Sequence, residues 1–459
     1  IEVLLGKAPR MHRDVAHAPA QVLPFDATGI ELPDAALRVL SHPAVADKTF
    51  LITIGDRTVG GQISRDQMVG PWQVPVADVA ITTSDYFGHA GEAMAMGERT
   101  PLALLDPAAA ARMAVTEAVM NILAADIASL SDIRLSANWM AACGQPGEDA
   151  ALFDAVRAVG MELCPALGIA IPVGKDSLSM HTAWDAGQRS VTAPVSLIVS
   201  AFAPVADVRR SQTPQLRLDV GDTRLLLVDL GGGRNRLGAS ILAQVYGGLS
   251  AEAPDLASPD LLLNFAAALR ASRERGLVLA YHDVSDGGVF TTLAEMAFAS
   301  RCGLSVDLPG GLGGLLARLF AEEAGAVLQV RAVDVSAVSS LFAAQGLAAH
   351  LHDIGEPIES LSLQLRCGSE RFAAEWTTLR RAWSETSNRM RLLRDDPACA
   401  REEFQSQLDV TDPGLAVKLA FDPQQDVAAP FIARGARPKV AVLREQGVNS
   451  QVEMAAVLD

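Results

Sequence analysis

Strand-like runs alternate with long helical runs along most of this chain, in two blocks separated by a polar, proline-containing stretch at residues 209–216. Such alternation is typical of folds in which helices cover a sheet. At 459 residues the chain is also too long for one ordinary hydrophobic core. We therefore predict an α/β (α+β) protein with two sheet-containing domains, at residues 1–208 and 215–367, followed by a helical connector at residues 368–436.

Local signals place elements within these blocks. Two β-rich runs, at residues 49–55 (TFLITIG) and 75–85 (PVADVAITTSD), predict two strands. In the second run, Asp78 is predicted to lie at a strand end. Asp106 followed by proline predicts the start of a long helix. The final residues, 437–459, predict a strand, a turn and the start of a helix, which is the opening of a further α/β domain. The chain begins without Met and stops within this helix, so we expect a fragment of a longer protein.

Charge and cysteine usage narrow the class of partner and compartment. Asp and Glu number 54 against 38 Lys and Arg, a net charge of -16, which argues against nucleic acid or an anionic membrane as partner. The most apolar stretch, residues 191–206, is too short and too interrupted by proline to span a bilayer. Five dispersed cysteines form no CxxC pair and no zinc spacing, so a reducing, cytoplasmic location is expected.

Four oxygen-donor side chains are candidates for a metal site. Glu117 and Asn121 are four residues apart on the predicted helix and therefore share a face. Asp78 and Asp283 follow strand-like runs, and side chains at strand ends line sites in α/β folds. Carboxylate and amide oxygens suit Mg²⁺. Spacing alone does not show that the four side chains converge, so Glu117 and Asn121 on a solvated helix face, with two unrelated aspartates, is the alternative interpretation.

The glycine-rich segments match no nucleotide-binding loop. LGGGRNRLGAS lacks the lysine of a P-loop, and PVGKDSLSM lacks its first glycine, so tight turns are an equally good interpretation. The SDGG turn at residues 285–288, which opens a predicted helix, is the best candidate for binding an anion. Cys143 and His282 are far apart in sequence, and no pattern indicates a catalytic nucleophile.

Several long runs resemble the phosphoribosylformylglycinamidine synthase family in its large, single-chain form. They are residues 55–78, 135–156, 164–180, 281–288 and 374–390, and residues 437–453 resemble the first strand and turn of its class I glutaminase domain. The resemblance implies two domains of the aminoimidazole-ribonucleotide-synthetase-like superfamily. It also implies a ligase that uses ATP and glutamine to convert formylglycinamide ribonucleotide into formylglycinamidine ribonucleotide.

The resemblance also assigns residues. Asp78, Glu117, Asn121 and Asp283 match the family's Mg²⁺ ligands, and Ala77 and Ser285 match its contacts to ATP or ADP. Because the synthetase region of the family is duplicated, this chain resembles its second half, which holds an auxiliary nucleotide. The expected partners are the first synthetase half and the rest of the glutaminase domain. Two alternatives stay open: a non-catalytic, nucleotide-stabilised scaffold, and a self-contained kinase or synthetase of the same superfamily.

Overall fold

The structure, a computed structural model, describes residues 6, 15–18, 23–55, 57–58, 60–249, 252–284, 286–435 and 438–458. Two large mixed sheets and their covering helices form the fold, which confirms the predicted α/β class. Within the described residues, no helix is both long enough and apolar enough to cross a membrane.

Seventeen strands are described, most of them in the two large sheets. They are β1 (Ile63–Arg65), β2 (Met68–Val69), β3 (Val74–Pro75), β4 (Ala80–Thr83), β5 (Gly91–Glu98), β6 (Arg134–Met140), β7 (Ala170–Ser177), β8 (His181–Trp184), β9 (Arg189–Thr192), β10 (Ser196–Val205), β11 (Thr223–Asp229), β12 (Val278–Asp283), β13 (Gly303–Asp307), β14 (Gly325–Arg331), β15 (Leu351–Ile358), β16 (Ser362–Cys367) and β17 (Glu370–Glu375). The pairs β2–β3 and β8–β9 form small sheets of their own.

The described α-helices are interspersed among these strands up to β17, and those after β17 follow one another. They are α1 (Leu32–Ser41), α2 (Thr49–Ile52), α3 (Pro107–Ile122), α4 (Glu148–Arg157), α5 (Cys164–Leu167), α6 (Ile241–Val245), α7 (Pro259–Glu274), α8 (Gly288–Ser300), α9 (Gly314–Phe320), α10 (Val335–Ala344), α11 (Trp376–Arg394), α12 (Pro397–Leu408), α13 (Ala429–Ile432) and α14 (Gln451–Leu458). A π-helical turn joins α4 to α5, so the three form one continuous helical segment that ends at Gly168.

The first sheet has the order β1-β4-β5-β10-β6-β7 and is antiparallel except between β6 and β7. Helix α3 packs on one face, against β5 and β10. It begins where predicted, because the Asp106 carboxylate accepts a hydrogen bond from the Ala109 backbone N–H at 2.9 Å. Gly97 on β5 permits close packing, since a Cβ there would lie 2.2 Å from the Ala114 carbonyl oxygen.

The opposite face of the first sheet is exposed over much of its area. Side chains of β5 alternate between buried and exposed, and Met94 and Met96 point outward. Phe202 on β10 and Val173 on β7 are also exposed. Within the described part of the chain, we define the open sheet face by these four side chains.

The second sheet has the order β12-β14-β11-β15-β13-β16-β17. Its first face packs against α7 and α10 and is continuous with the core around α3. The Tyr281 hydroxyl, fully buried, donates to the Met120 carbonyl of α3 at 2.7 Å and so joins the two sheets. The second face packs against α8, α11 and α1.

The core of the second sheet is therefore completed by two helices from outside its sequence block: α1, which precedes the block in sequence, and α11, which follows it. Val39 and Leu40 of α1 are fully buried there, and the Trp383 indole of α11 donates to the Val45 carbonyl at 2.9 Å. The first predicted domain, residues 1–208, includes α1, whereas α1 packs in the core of the second sheet. Strand β17 lies beyond residue 367 but pairs with β16, so the predicted connector begins with a strand of the second sheet.

A short segment of the connector is bound to the body, and we call residues 409–415 the connector strap. The Arg301 guanidinium lies 5.0 Å from the Trp72 ring centroid and donates to the Asp412 carbonyl at 2.9 Å. The Trp72 indole donates to the same carbonyl at 2.9 Å, and the Leu415 N–H donates to the Pro71 carbonyl at 2.9 Å.

Three predicted strands differ from the structure. The run at 49–55 begins as helix α2, because the Asp47 carboxylate accepts from the Thr49 N–H at 2.6 Å and no strand pairs with it in the described residues. The run at 75–85 divides into β3 and β4, which leaves Asp78 in the turn between them. The described residues 438–450 form no strand, since no neighbouring strand is paired with them, whereas α14 does form.

Candidate functional site

Asp78, His282 and Asp283 meet at the junction of the two sheets. Asp78 comes from the β3–β4 turn, whereas His282 and Asp283 are the last two residues of β12. His282 Nδ1 lies 2.6 Å from Asp78 Oδ1 and 3.7 Å from Asp283 Oδ1. One potential ligand atom from each residue lies within 4.8 Å of the others. Two aspartates predicted from separate parts of the sequence are thus brought together.

The two carboxylates are buried and incompletely satisfied. Their side chains are 2% and 4% exposed, and within the described residues the Oδ2 atoms of Asp78 and Asp283 have no hydrogen-bond partner. Burial and the neighbouring Asp78 carboxylate raise the pKa of Asp283 to about 8, and burial also raises the pKa of Asp78. Unpartnered buried carboxylate oxygens fit a hard divalent cation such as Mg²⁺, which would supply the missing positive charge.

Glu117 borders this cluster, whereas Asn121 points elsewhere. Glu117 and Val284 line the same small cavity, and burial raises the pKa of Glu117 well above its usual value, with Asp283 adding to the shift. The Glu117 carboxylate accepts from the Glu98 N–H at 3.2 Å. The Asn121 amide donates to the Met96 carbonyl at 2.9 Å, and no contact joins it to either aspartate in the described residues. Of the four predicted ligands, Asp78 and Asp283 therefore meet beside His282, and Glu117 lies near Asp283.

The predicted nucleotide contacts are less well defined. Ala77 lies beside Asp78, and its N–H donates to the Gln67 carbonyl at 3.2 Å. Ser285 lies outside the described residues. The expectation that the SDGG turn is open to an anion is only partly met, because the Gly287 N–H already donates to Glu322 Oε1 at 2.8 Å.

A network around Arg99 borders a cleft of about 140 Å³. The Arg99 guanidinium, 6% exposed, lies 2.8 Å from Asp286 Oδ1 and 3.3 Å from Glu322 Oε2. The same cleft is lined by His42 from the segment after α1 and by Gly238 from the glycine-rich turn. Arg99 belongs to the first sheet's block and its acidic partners to the second, so these ion pairs also join the two blocks.

Glu295 also belongs to this site, because its Oε2 lies 2.8 Å from His282 Nε2. The sequence analysis missed four members of the site, namely His282, Glu295, Arg99 and Glu322. His282 was considered there only as a partner for Cys143, although it directly precedes Asp283. Its position next to a predicted ligand was a usable signal. Arg99 and Glu322 are separated by more than 200 residues, and no local pattern distinguishes them from ordinary surface charges.

Comparison with known proteins identifies both blocks. Residues 47–204 match the FGAR-AT PurM_N-like domain, and residues 222–368 match the C-terminal domain of AIR synthase related proteins. Thermotoga maritima PurL complexed with FGAR superposes with a TM-score of 0.59 at 11% identity, covering 76% of this chain and 53% of that chain. T. maritima phosphoribosylformylglycinamidine synthase II gives a TM-score of 0.55 at 14% identity, covering 78% and 53%. T. maritima PurL complexed with ADP gives 0.53 at 12%, covering 77% and 52%.

These structures share the fold of this chain. The chain spans about half the length of each of them. The predicted family resemblance is confirmed, because the matched domains are of the FGAR-AT and AIR synthase type.

Proposed function

Because this chain carries an FGAR-AT PurM_N-like domain followed by an AIR synthase related C-terminal domain, we propose that it is the second half of the synthetase region of a phosphoribosylformylglycinamidine synthase. The parent enzyme would use ATP and glutamine to convert formylglycinamide ribonucleotide into its amidine in purine biosynthesis. Its partners would be the first synthetase half and a glutaminase domain, in the cytoplasm. The similarity to T. maritima PurL complexed with FGAR supports this substrate.

Within that enzyme, this half would hold Mg²⁺ and ADP or ATP as part of its structure. The observation that carries this proposal is the pair of buried oxygens on Asp78, in the β3–β4 turn, and Asp283, at the end of β12, which have no hydrogen-bond partner among the described residues. When bound, the cation would neutralise these carboxylates and the phosphates of the nucleotide. Asp78, Glu117 and Asp283 would hold it, and Ala77 and Ser285 would border the nucleotide. A ligand held from both sides joins the sheets and therefore stabilises the folded state.

The open sheet face supports the proposal that another domain packs against this half. Met94, Met96, Val173 and Phe202 expose apolar surface on one side of a sheet whose other side is covered by α3. Exposed apolar surface of this kind commonly marks a protein–protein interface. The first synthetase half is the occupant that the proposal requires, because this chain covers only 53% of each of two matched T. maritima structures.

Thermal unfolding with and without a chelator tests the metal site. For the natural chain, Mg²⁺-ADP at a hundredfold excess over its dissociation constant would add about 2.7 kcal/mol, which for a chain of this length is a rise in Tm of about 3 °C. Asp283→Asn should remove most of that rise, whereas Asp219→Asn, an exposed control, should keep it. Identical melting of the natural chain with Mg²⁺-ADP and with EDTA would contradict the proposal.

Turnover separates a structural half from a self-contained kinase. Purified chain supplied with ATP, formylglycinamide ribonucleotide and ammonium should form neither amidine nor ADP above the blank, because the cleft between two halves positions the reactants. Adding the first synthetase half should restore amidine formation. ADP release by the chain alone would favour the kinase alternative.

A further inference from the structure

We infer that His282 and Glu295 are positioning residues that orient Asp78 toward the bound cation. This inference rests on the proposed metal site and assigns roles to two residues outside its predicted ligand set. Both ring nitrogens of His282 face carboxylates: Nδ1 lies 2.6 Å from Asp78 Oδ1, and Nε2 lies 2.8 Å from Glu295 Oε2.

The three residues come from three separate elements. Asp78 lies in the β3–β4 turn, His282 on β12 and Glu295 on α8. Glu295 is held by its helix, which is buried over most of its length against the second sheet. Helix α8 therefore fixes Glu295, Glu295 fixes the His282 ring, and the ring fixes the direction of the Asp78 carboxylate.

In this arrangement His282 faces carboxylates on both sides. Nδ1 is engaged with Asp78 and Nε2 with Glu295, so neither ring nitrogen can bind a cation without breaking one of these two hydrogen bonds. Asp78 Oδ1 is occupied by the histidine, which leaves Oδ2, buried and unpartnered among the described residues, as the oxygen available to the cation.

Asp78 depends on this support because its own element is weak. The turn is flanked by β3, which has two residues, and by β4, which has four. Without the imidazole, the carboxylate could rotate about χ1 and χ2 and lose its fixed direction. Partners that orient metal ligands by hydrogen bonding typically contribute about 10–100-fold to metal affinity.

The test is the affinity for Mn²⁺-ADP, measured by calorimetry at 15 °C on the full chain. Glu295→Ala removes the support of His282 and should weaken binding about 10–100-fold. Glu295→Gln keeps an acceptor at the same length, so it should bind within about threefold of the natural chain. Val338→Ala removes buried core contacts away from the site and controls for lost stability, and it should bind with unchanged affinity.

The outcomes separate this inference from the proposed function. If the natural chain binds Mn²⁺-ADP and Asp283→Asn abolishes binding, but Glu295→Ala binds normally, the positioning role is wrong while the metal site stands. If the natural chain does not bind Mn²⁺-ADP at all, both proposals fail. An electron spin echo signal from a nitrogen bonded to the Mn²⁺ would also overturn the inference, because it would make His282 a ligand.

Discussion

At the scale of single residues, the five cysteines differ sharply in their surroundings. Cys164 and Cys302 are buried among apolar side chains, whereas Cys399 is exposed on α12. Burial raises the pKa of Cys164 to about 11 and that of Cys302 to about 12, since the thiolate loses its hydration. Thiol reactivity should therefore follow burial.

Alkylation of the native protein with iodoacetamide at pH 8 should modify Cys399 first and leave Cys164 and Cys302 intact until the chain unfolds. Raising the pH from 8 to 9 should not make Cys164 and Cys302 reactive, because pH 8 and pH 9 both lie below the raised pKa values of these thiols. Peptide mass spectrometry after timed quenching gives the rates. Modification of Cys302 as fast as Cys399 in folded protein would contradict the burial described for it.

At the scale of elements, helix α3 is the shared support of both sheets. It packs on β5 and β10, and its Met120 carbonyl accepts from Tyr281 of β12. Its first turn is fixed by Asp106, whose carboxylate accepts from the Ala109 N–H at 2.9 Å.

Replacing Asp106 by Ala should lower the free energy of unfolding by about 1 kcal/mol, because the Ala109 N–H in the first turn loses its acceptor. Asp106→Asn should cost only a few tenths of a kcal/mol, since asparagine caps equally well. Urea unfolding followed by circular dichroism measures both variants. Equal losses for Ala and Asn would show that the negative charge, rather than the cap, is what matters.

The connector strap makes a second prediction at this scale. Arg301, 7% exposed, holds residues 409–415 against Trp72. Arg301→Ala should release the strap and accelerate tryptic cleavage after Lys418 several-fold, while Arg275→Ala, which lies at a helix end away from the strap, should leave the rate unchanged. Gel electrophoresis over a time course follows the cleavage. An unchanged rate in Arg301→Ala would mean that other contacts hold the segment.

At the scale of the whole molecule, the core of the second sheet includes helix α1, which lies far from that sheet's strands in sequence. Val39, Leu40 and the Val45 carbonyl approach Trp383 of α11. The family match begins only at residue 47. A chain trimmed to the matched residues would therefore lack α1.

Deleting residues 1–46 should lower Tm by several degrees and increase aggregation, because the apolar side of α11 becomes exposed. Deleting residues 1–22 is the control. Among the described residues it removes the exposed His17–Asp154 pair but keeps α1, so Tm should change little. Calorimetry and light scattering at equal concentration compare the two deletions. Equal stability of both would show that α1 contributes little to the core.

The α/β class, the start of α3 at Asp106 and the family resemblance all follow from the amino-acid sequence without a structure. Each depends on local information: hydrophobic alternation, capping chemistry, or a run of letters. The sequence also selected Asp78 and Asp283, which meet in the structure, and Glu117, which lies near Asp283. The oxygen-donor chemistry and the resemblance both pointed to the same four residues, Asp78, Glu117, Asn121 and Asp283.

The surroundings of those carboxylates, and the division of the chain between two cores, depend on contacts that form only in the folded protein. The ion pairs of Arg99 and the Glu295–His282–Asp78 arrangement join residues from distant parts of the chain. Helix α2 replaced a predicted strand, and α1 joined the second core, because strand pairing and burial depend on which neighbours are present. Periodicity records which side of an element is apolar; packing alone determines what covers it.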